Sequence, residues 1–373
     1  MRASAAGTSR VDVLVIGAGQ AGLAMGHELR KRNRDFLVID GAARVGDSWR
    51  ARWDSLRLFT PARYSALPGL PVPAPPEHLP GRDEVAAYLE SYARTFALPL
   101  ALDEPVRELR RLGPGEFLAR TDYANYRARH VVVATGPHHS PRVPSLAAAL
   151  GPGIAQLHSS SYRSPAALPD GPVLVVGSGN SGVQIAAELA RTRPVTLALG
   201  TPVRALPPRV LGRSLFEWLD VTGALRATPG SPGARVFGRG EILIGLTPRD
   251  LARDHGVRLV PRIVDARPEE LVTAAGETLS PRTVLWATGF RPSYPWLRVP
   301  VLDAAGRPRH TQGVSAVAGL GFLGLPWQRA RGSSLLGWVG RDAAHLADAL
   351  LDGGRPRGGS LVMPQERMFG ASL

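Results

Sequence analysis

Two short stretches of this chain carry the residue types that hold a phosphate. Val13–Gly22 reads VLVIGAGQAG and Val173–Gly182 reads VLVVGSGNSG. In each, a run of β-branched residues leads into three glycines spaced G-x-G-x-x-G. In the first copy, Gly17 suits a tight turn, Gly19 lets the backbone approach a pyrophosphate, and Gly22 allows close helix–strand packing. Gly177, Gly179 and Gly182 repeat that scheme. The helix that opens at Gln20 and Ala21, or at Asn180 and Ser181, then aims its N-terminal amides at the phosphates. The chemistry expected of two dinucleotide sites is hydride flow from a nicotinamide to a flavin.

The residue about 20 positions on distinguishes the two sites. Asp40 stands 18 residues after Gly22 and is placed to accept a ribose hydroxyl of FAD or NAD. The matching position after Gly182 is Gly200, with Thr201, Arg204 and Arg209 following. This favours a 2′-phosphate, hence NADPH, with Arg204 as the candidate partner.

The elements that must position these turns are legible around them. Strands are expected over Val11–Ile16, Phe36–Asp40, Val173–Val176, Val195–Leu199 and Thr283–Ala287, and helices over Gln20–Arg32, Arg82–Ala97 and Asn180–Thr192. Short strands are expected over residues 106–133, a Pro-rich connector from Gly136 to Pro172, and a short helix at Leu215–Leu219. A closing amphipathic helix is expected over Ser334–Leu351, capped by Ser333. Residues 41–81 have no period and seven prolines, so they read as a functional loop.

The repeat goes further. Glu28-Leu29 and Glu188-Leu189 each stand six residues after the last glycine. VVVATG, ending in Ala134-Thr135-Gly136, answers VLWATG, ending in Ala287-Thr288-Gly289. The chain thus holds two copies of one strand–turn–helix unit.

Composition bounds the alternatives. The chain has 373 residues, 44% hydrophobic and 20% charged, which fits a globular protein of two or three domains. There is no cysteine, which removes disulfide, zinc-thiolate, iron–sulfur and thiol-nucleophile chemistry. His138 and His139 are adjacent and lack an acid cluster, so no metal site is expected. The formal charge of +14 comes from scattered arginines, with Lys31 the one lysine; no block of like charge marks a nucleic-acid partner. No apolar leader or membrane span is read, and the cytoplasm is the expected location.

The order GAGQAG, GDSWRARWDSLRLFTP (Gly46–Pro61), ATGP, HSSSY (His158–Tyr162), GSGNSG and ATGF resembles the class B flavin-dependent monooxygenases, in the bacterial branch near the YUCCA and flavin-containing monooxygenases. The resemblance implies an α/β fold of two Rossmann-like dinucleotide-binding domains, the FAD domain interrupted by an inserted NAD(P)H domain. On this chain that gives FAD residues 1–150 and 295–373, and NAD(P)H residues 151–294. It implies FAD at the first turn and NADPH at the second. It also implies that the Gly46–Trp49 segment approaches the flavin and that the Ala-Thr-Gly segments link the domains. The activity implied is oxygenation of a small organic substrate by O2 through a C4a-(hydro)peroxyflavin, with no protein nucleophile. Trp49 and Trp53, flanking Arg50 and Arg52, then read as packing beside the flavin with an arginine near a phosphate. Thr60 and Ser334 read as further flavin-adjacent residues. The rival reading is an NAD(P)H oxidoreductase that passes electrons to a quinone or protein acceptor.

Overall fold

The computed structural model describes residues 7–231 and 242–351. The first unit opens with β1 (Thr8–Ile16), α1 (Gln20–Lys31) and β2 (Phe36–Ile39), followed by the one-turn helix α2 (Asp47–Arg50), α3 (Arg82–Thr95) and β3 (Leu100–Ala101). An antiparallel pair, β4 (Glu108–Gly113) and β5 (Glu116–Arg120), leads into β6 (Asn125–Val133). The chain leaves through β7 (Ser140–Pro141) and enters β8 (Ala155–His158), β9 (Val173–Val176), α4 (Asn180–Leu189) and β10 (Val195–Ala198). After α5 (Leu215–Val221) and α6 (Pro248–His255) come β11 (Arg258–Val260) and β12 (Thr283–Trp286). It returns through β13 (Phe290–Arg291), adds β14 (Leu320–Phe322) to the first sheet, and closes with α7 (Val339–Leu351).

Two sheets result. In the first, β14, β6, β1, β2 and β3 lie side by side in that order, all parallel. The second runs β11-β10-β9-β12-β8, also parallel throughout. The expected α/β architecture with two Rossmann-like sheets is present.

Successive strand residues face opposite sides of a sheet. Val13, Val15, Val38 and Val132 pack with α1, α3 and α7 on one face of the first sheet. Leu14, Ile16, Ile39, Val131 and Val133 pack on the other, against the β4–β5 pair and Tyr294–Val301. The second sheet divides the same way: Val173, Val175, Leu197 and Leu285 face α4, while Leu174, Ala198, Val284 and Trp286 face the opposite core. Both faces are covered, which is why these strands read as unbroken apolar runs.

Phe322 is fully buried on β14. Phe322→Ala is expected to cost about 3–5 kcal/mol, the usual range for deleting a core phenylalanine. Chemical denaturation read by tryptophan fluorescence would measure it, and a loss under about 1 kcal/mol would place Phe322 outside the load of the core.

Two expectations change. The connector between Gly136 and Pro172 contains β8, which extends the second sheet by pairing with β12, Leu157 opposite Leu285. Its four residues gain strand structure from that neighbour more than from their own pattern. The closing helix begins at Val339, five residues later than expected. Residues 329–338 instead form successive tight turns: Leu335 N donates to Gly332 O and Trp338 N to Leu335 O. Ser333 does not cap the helix; its Oγ accepts from the amides of Arg329 and Ala330, each at 3.0 Å. Gly332 and Gly337 lower the helix propensity of the segment. A Cβ on Gly337 would overlap the carbonyl of Tyr64, so this segment is seated directly on the long loop.

Candidate functional site: two glycine turns on one cavity

Both glycine turns open at the carboxyl ends of their sheets, where open α/β folds bind ligands. Gly17 and Gly177 have φ of +109° and +111°. A Cβ on Gly17 would sit 2.7 Å from the carbonyl oxygen of Ala134, and one on Gly177 would overlap that of Ala287. The Ala-Thr-Gly repeat thereby acquires a physical reason: each alanine carbonyl is the floor on which a glycine turn rests. At Gly19 nothing lies within 4 Å of where a Cβ would be, leaving open space above the turn. Gly19 and Gly179 precede α1 and α4 in extended conformation, and neither helix has a side-chain N-cap bond. Their first amides are therefore available to an anion.

A cavity of about 1870 Å3 connects the two turns. Ligand pockets commonly measure about 300–1,000 Å3, so this one has room for two dinucleotides and a substrate. Its wall includes Gly17, Gly19, Gln20, Ala21 and Asp40 of the first turn, Gly177, Gly179, Asn180 and Ser181 of the second, and both Ala-Thr-Gly segments (Ala134, Thr135 and Gly136; Ala287, Thr288 and Gly289). Trp49, Thr60 and Ser334 line it too.

Five sequence-derived candidates do not line it. Gly22 and Gly182 lie behind the turns, and Gly46 packs on Ala86 of α3. Arg50 is held by Asp47 at 3.0 Å and Glu90 at 2.8 Å, so its charge is spent on the surface of the first unit. Arg204 is exposed on a short strand, Arg204–Leu206, outside the wall.

The second strand ends at Ile39, one residue short of the expectation, and Asp40 follows it directly. One carboxylate oxygen accepts from Ala18 N at 2.5 Å and the other from Ala42 N at 2.8 Å. These bonds fix the carboxylate beside the turn, and each oxygen keeps a lone pair for a ribose hydroxyl. Thr60 is buried, and its hydroxyl accepts from Ser65 Oγ at 2.8 Å. Asn180 uses its amide to brace the neighbouring strand, donating to Ile242 O at 3.0 Å.

Tyr294 and Trp327 on the wall carried no sequence signal, and the packing of the residues around Phe290 had none either. Arg52 stacks 5.4 Å over the ring of Phe290, and His138 and His158 meet the same ring edge-on. Among the described residues no carboxylate pairs with Arg52. Its neighbours Arg163, His138 and His158 are cationic or neutral, and burial lowers its pKa. Trp53, Tyr294 and Trp327 contribute to the wall, but Trp53 Nε1, Tyr294 OH and Trp327 Nε1 are themselves buried and have no partner among the described residues. Trp327 holds φ at +56°, a strained conformation for a bulky residue. The wall carries seven arginines and only two carboxylates, Asp40 and Glu104. Open amide cradles and excess positive charge fit acceptor-rich, anionic nucleotides.

Against this geometry stand the known proteins. Residues 14–205 match the pyridine nucleotide-disulphide oxidoreductase family. A protein of Geobacillus kaustophilus called uncharacterized oxidoreductase CzcO-like is 42% identical over 92% of this chain and 99% of its own. The indole-3-pyruvate monooxygenase YUCCA1 of Oryza sativa subsp. japonica is 30% identical over 76% of this chain and 78% of its own. The structure of a flavin-containing monooxygenase from Stenotrophomonas maltophilia superimposes with a TM-score of 0.78 at 28% identity, covering 92% of this chain and 98% of that one. The chain belongs to the class B flavin-dependent monooxygenase family. This family member is a flavin-dependent oxidoreductase, and its family implies flavin and nicotinamide cofactors. Without cysteine, it has no thiol for disulfide reduction. Among its described residues no helix is long and apolar enough to cross a membrane, and no group of three His, Cys, Asp or Glu is placed to hold a metal.

Buried histidines of this flavoenzyme contribute to its acid sensitivity. His310, on the cavity wall, has its pKa pushed down to about 4 by burial, and burial also lowers His27, His130, His139 and His158. Between the ordinary value of 6.5 and about 4, the unfolded chain binds protons that the folded chain refuses. Stability is therefore expected to fall as pH drops through that window. His310→Gln should flatten the pH dependence of the urea midpoint between pH 6.5 and 4; an unchanged slope would show that His310 does not contribute.

Proposed function

We propose that the protein is an NADPH-dependent FAD monooxygenase acting on a small organic substrate with O2. The observation that carries this reading is the pair of glycine turns opening on one cavity. The FAD-binding part comprises residues 1–150 and 295–373, and the NAD(P)H-binding part residues 151–294. When bound, the two cofactors supply hydride transfer and oxygen activation.

The chain's own part is to bind, orient and exclude water. Gly17 and Gly19 with the amides of Gln20 and Ala21 hold the FAD pyrophosphate, Gly22 lets α1 pack against the turn behind them, and Asp40 accepts a ribose hydroxyl. Gly177 and Gly179 with Asn180 and Ser181 do the same for NADPH, with Gly182 packed behind the turn. Trp49, Thr60 and Ser334 pack beside the flavin. Aromatic walls keep water from the reacting centre.

The test is rapid mixing of the flavin-loaded protein. NADPH should bleach the flavin anaerobically. On admission of oxygen the oxidised spectrum should return after a delay, with peroxide below stoichiometry once an accepted substrate is present. The substrate panel would span ketones, thioethers, amines and 2-oxo acids, among them indole-3-pyruvate, for which the rice relative is named. Immediate return with stoichiometric peroxide across the whole panel would favour an oxidoreductase that passes electrons to a quinone or protein acceptor.

A further inference from the structure

The cavity is charged unevenly. Its two carboxylates, Asp40 and Glu104, stand together at the first turn, where Glu104 N donates to Asp40 O at 2.8 Å. The part lined by the second turn holds no carboxylate. There β10 and β11 run parallel, Ala198 opposite Val260, and Leu199 N donates to Val260 O at 2.9 Å. The two chains then leave the sheet edge side by side, one as Gly200-Thr201 and the other as Pro261-Arg262. Gly200, Thr201 and Arg262 all line the cavity.

Neighbouring strands lie about 4.8 Å apart, so Ala198 and Val260 are one strand spacing apart, and Gly200 and Arg262 each follow two residues on. Gly200 holds the place where a dinucleotide fold that prefers an unphosphorylated ribose carries its acid. It has open space where a Cβ would be. The backbone of Arg262 is fixed, its carbonyl accepting from Ala274 N at 2.8 Å. Its guanidinium has no ion pair or hydrogen bond among the described residues. A cation on a fixed backbone, beside a vacated acid position, is a receptor for a dianion.

We propose that Arg262, with Thr201, binds the 2′-phosphate of NADPH and sets the preference for NADPH over NADH; this rests on the dinucleotide reading of the second turn. The role read from the sequence for Arg204 passes to a residue some 60 positions away that sheet pairing brings to the same edge. A guanidinium offers a phosphate two parallel donors, and the Thr201 hydroxyl adds a third. NADH presents only a hydroxyl there and finds no carboxylate to accept its proton.

The experiment compares wild type, R262A, R262K and R204A, all flavin-loaded. Calorimetry measures binding of 2′,5′-ADP and 5′-AMP, and anaerobic flavin reduction is followed with NADPH and NADH. R262A should weaken 2′,5′-ADP roughly 10- to 100-fold while 5′-AMP changes less than about twofold. The NADPH-over-NADH ratio should fall by a similar factor, and R262K should recover part of it. Arg262 is exposed, so flavin content and melting temperature report that the variants fold. An R262A variant that loses both ligands equally, or keeps 2′,5′-ADP affinity, would overturn the assignment, as would a loss carried by R204A. If wild type itself does not distinguish 2′,5′-ADP from 5′-AMP, the NADPH reading falls with it. If wild type does and R262A still does, only the role of Arg262 falls.

Discussion

Gly22→Ala is expected to yield a colourless protein. Gly22 lies on α1 directly above the turn that begins at Gly17. A Cβ there would overlap the carbonyl oxygen of Gly17, sit 2.9 Å from its carbon, and meet Val15 Cγ1 at 3.5 Å. None of these is the end of a flexible side chain. Relief requires α1 to move away from β1, and that separates the helix amides from the turn they complete. The cost exceeds about 4 kcal/mol, beyond the usual range for one substitution. Because the clash lies at the proposed pyrophosphate cradle, flavin is expected to be lost first. The ratio of flavin to protein absorbance after purification in excess FAD measures the effect. Retention of more than about half the wild-type flavin would show that the turn is not the flavin cradle.

Gly182→Ala repeats the substitution in the second copy with a different outcome. A Cβ on Gly182 would overlap Gly177 O, lie 3.0 Å from Gly177 C and press on Ala287 Cβ at 3.3 Å. Flavin should stay bound, since the first turn is untouched. Anaerobic reduction by NADPH should slow by at least about 100-fold, the scale of about 3 kcal/mol of lost binding and positioning. Reduction by dithionite should proceed as in wild type, separating a damaged nicotinamide site from a damaged flavin. Loss of flavin in this variant would reverse the assignment of the two turns.

The paired glycine turns show what local sequence can carry. Strand, turn and helix are contiguous in each copy, so β1-α1-β2 and β9-α4-β10 were readable from residue type alone, and the repeat of Ala-Thr-Gly pointed at a shared geometry. The features that escaped depend on distant neighbours. The strand at Ala155–His158 is short and flanked by prolines, and it exists because β12 offers it an edge. The helix Pro248–His255 buries only Leu251, so it has almost no apolar stripe to betray it. Its signal was the capping box, Thr247 accepting from Asp250 N while Asp250 accepts from Thr247 N. The site arginines were hidden by composition. With arginine scattered throughout the chain, only the fold separates Arg50, neutralised by Asp47 and Glu90, from Arg52, two residues on and without an acid. The strained backbone of Trp327 left no mark in the sequence at all.

Trp53 belongs to the long loop of the first unit, yet its indole is buried in the core of the second, among Tyr162, Val183 and Leu189. The loop is anchored beside it, Asp54 N donating to Arg163 O at 2.8 Å. Pulling the units apart exposes that indole to water and costs about 2–3 kcal/mol from one side chain alone. The two sheets are therefore expected to melt together and not as independent modules, despite having separate cores. Their ligand equilibria are joined by the same free energy: a nucleotide that stabilises one sheet raises the unfolding midpoint of both, and the shift is expected in a single thermal transition.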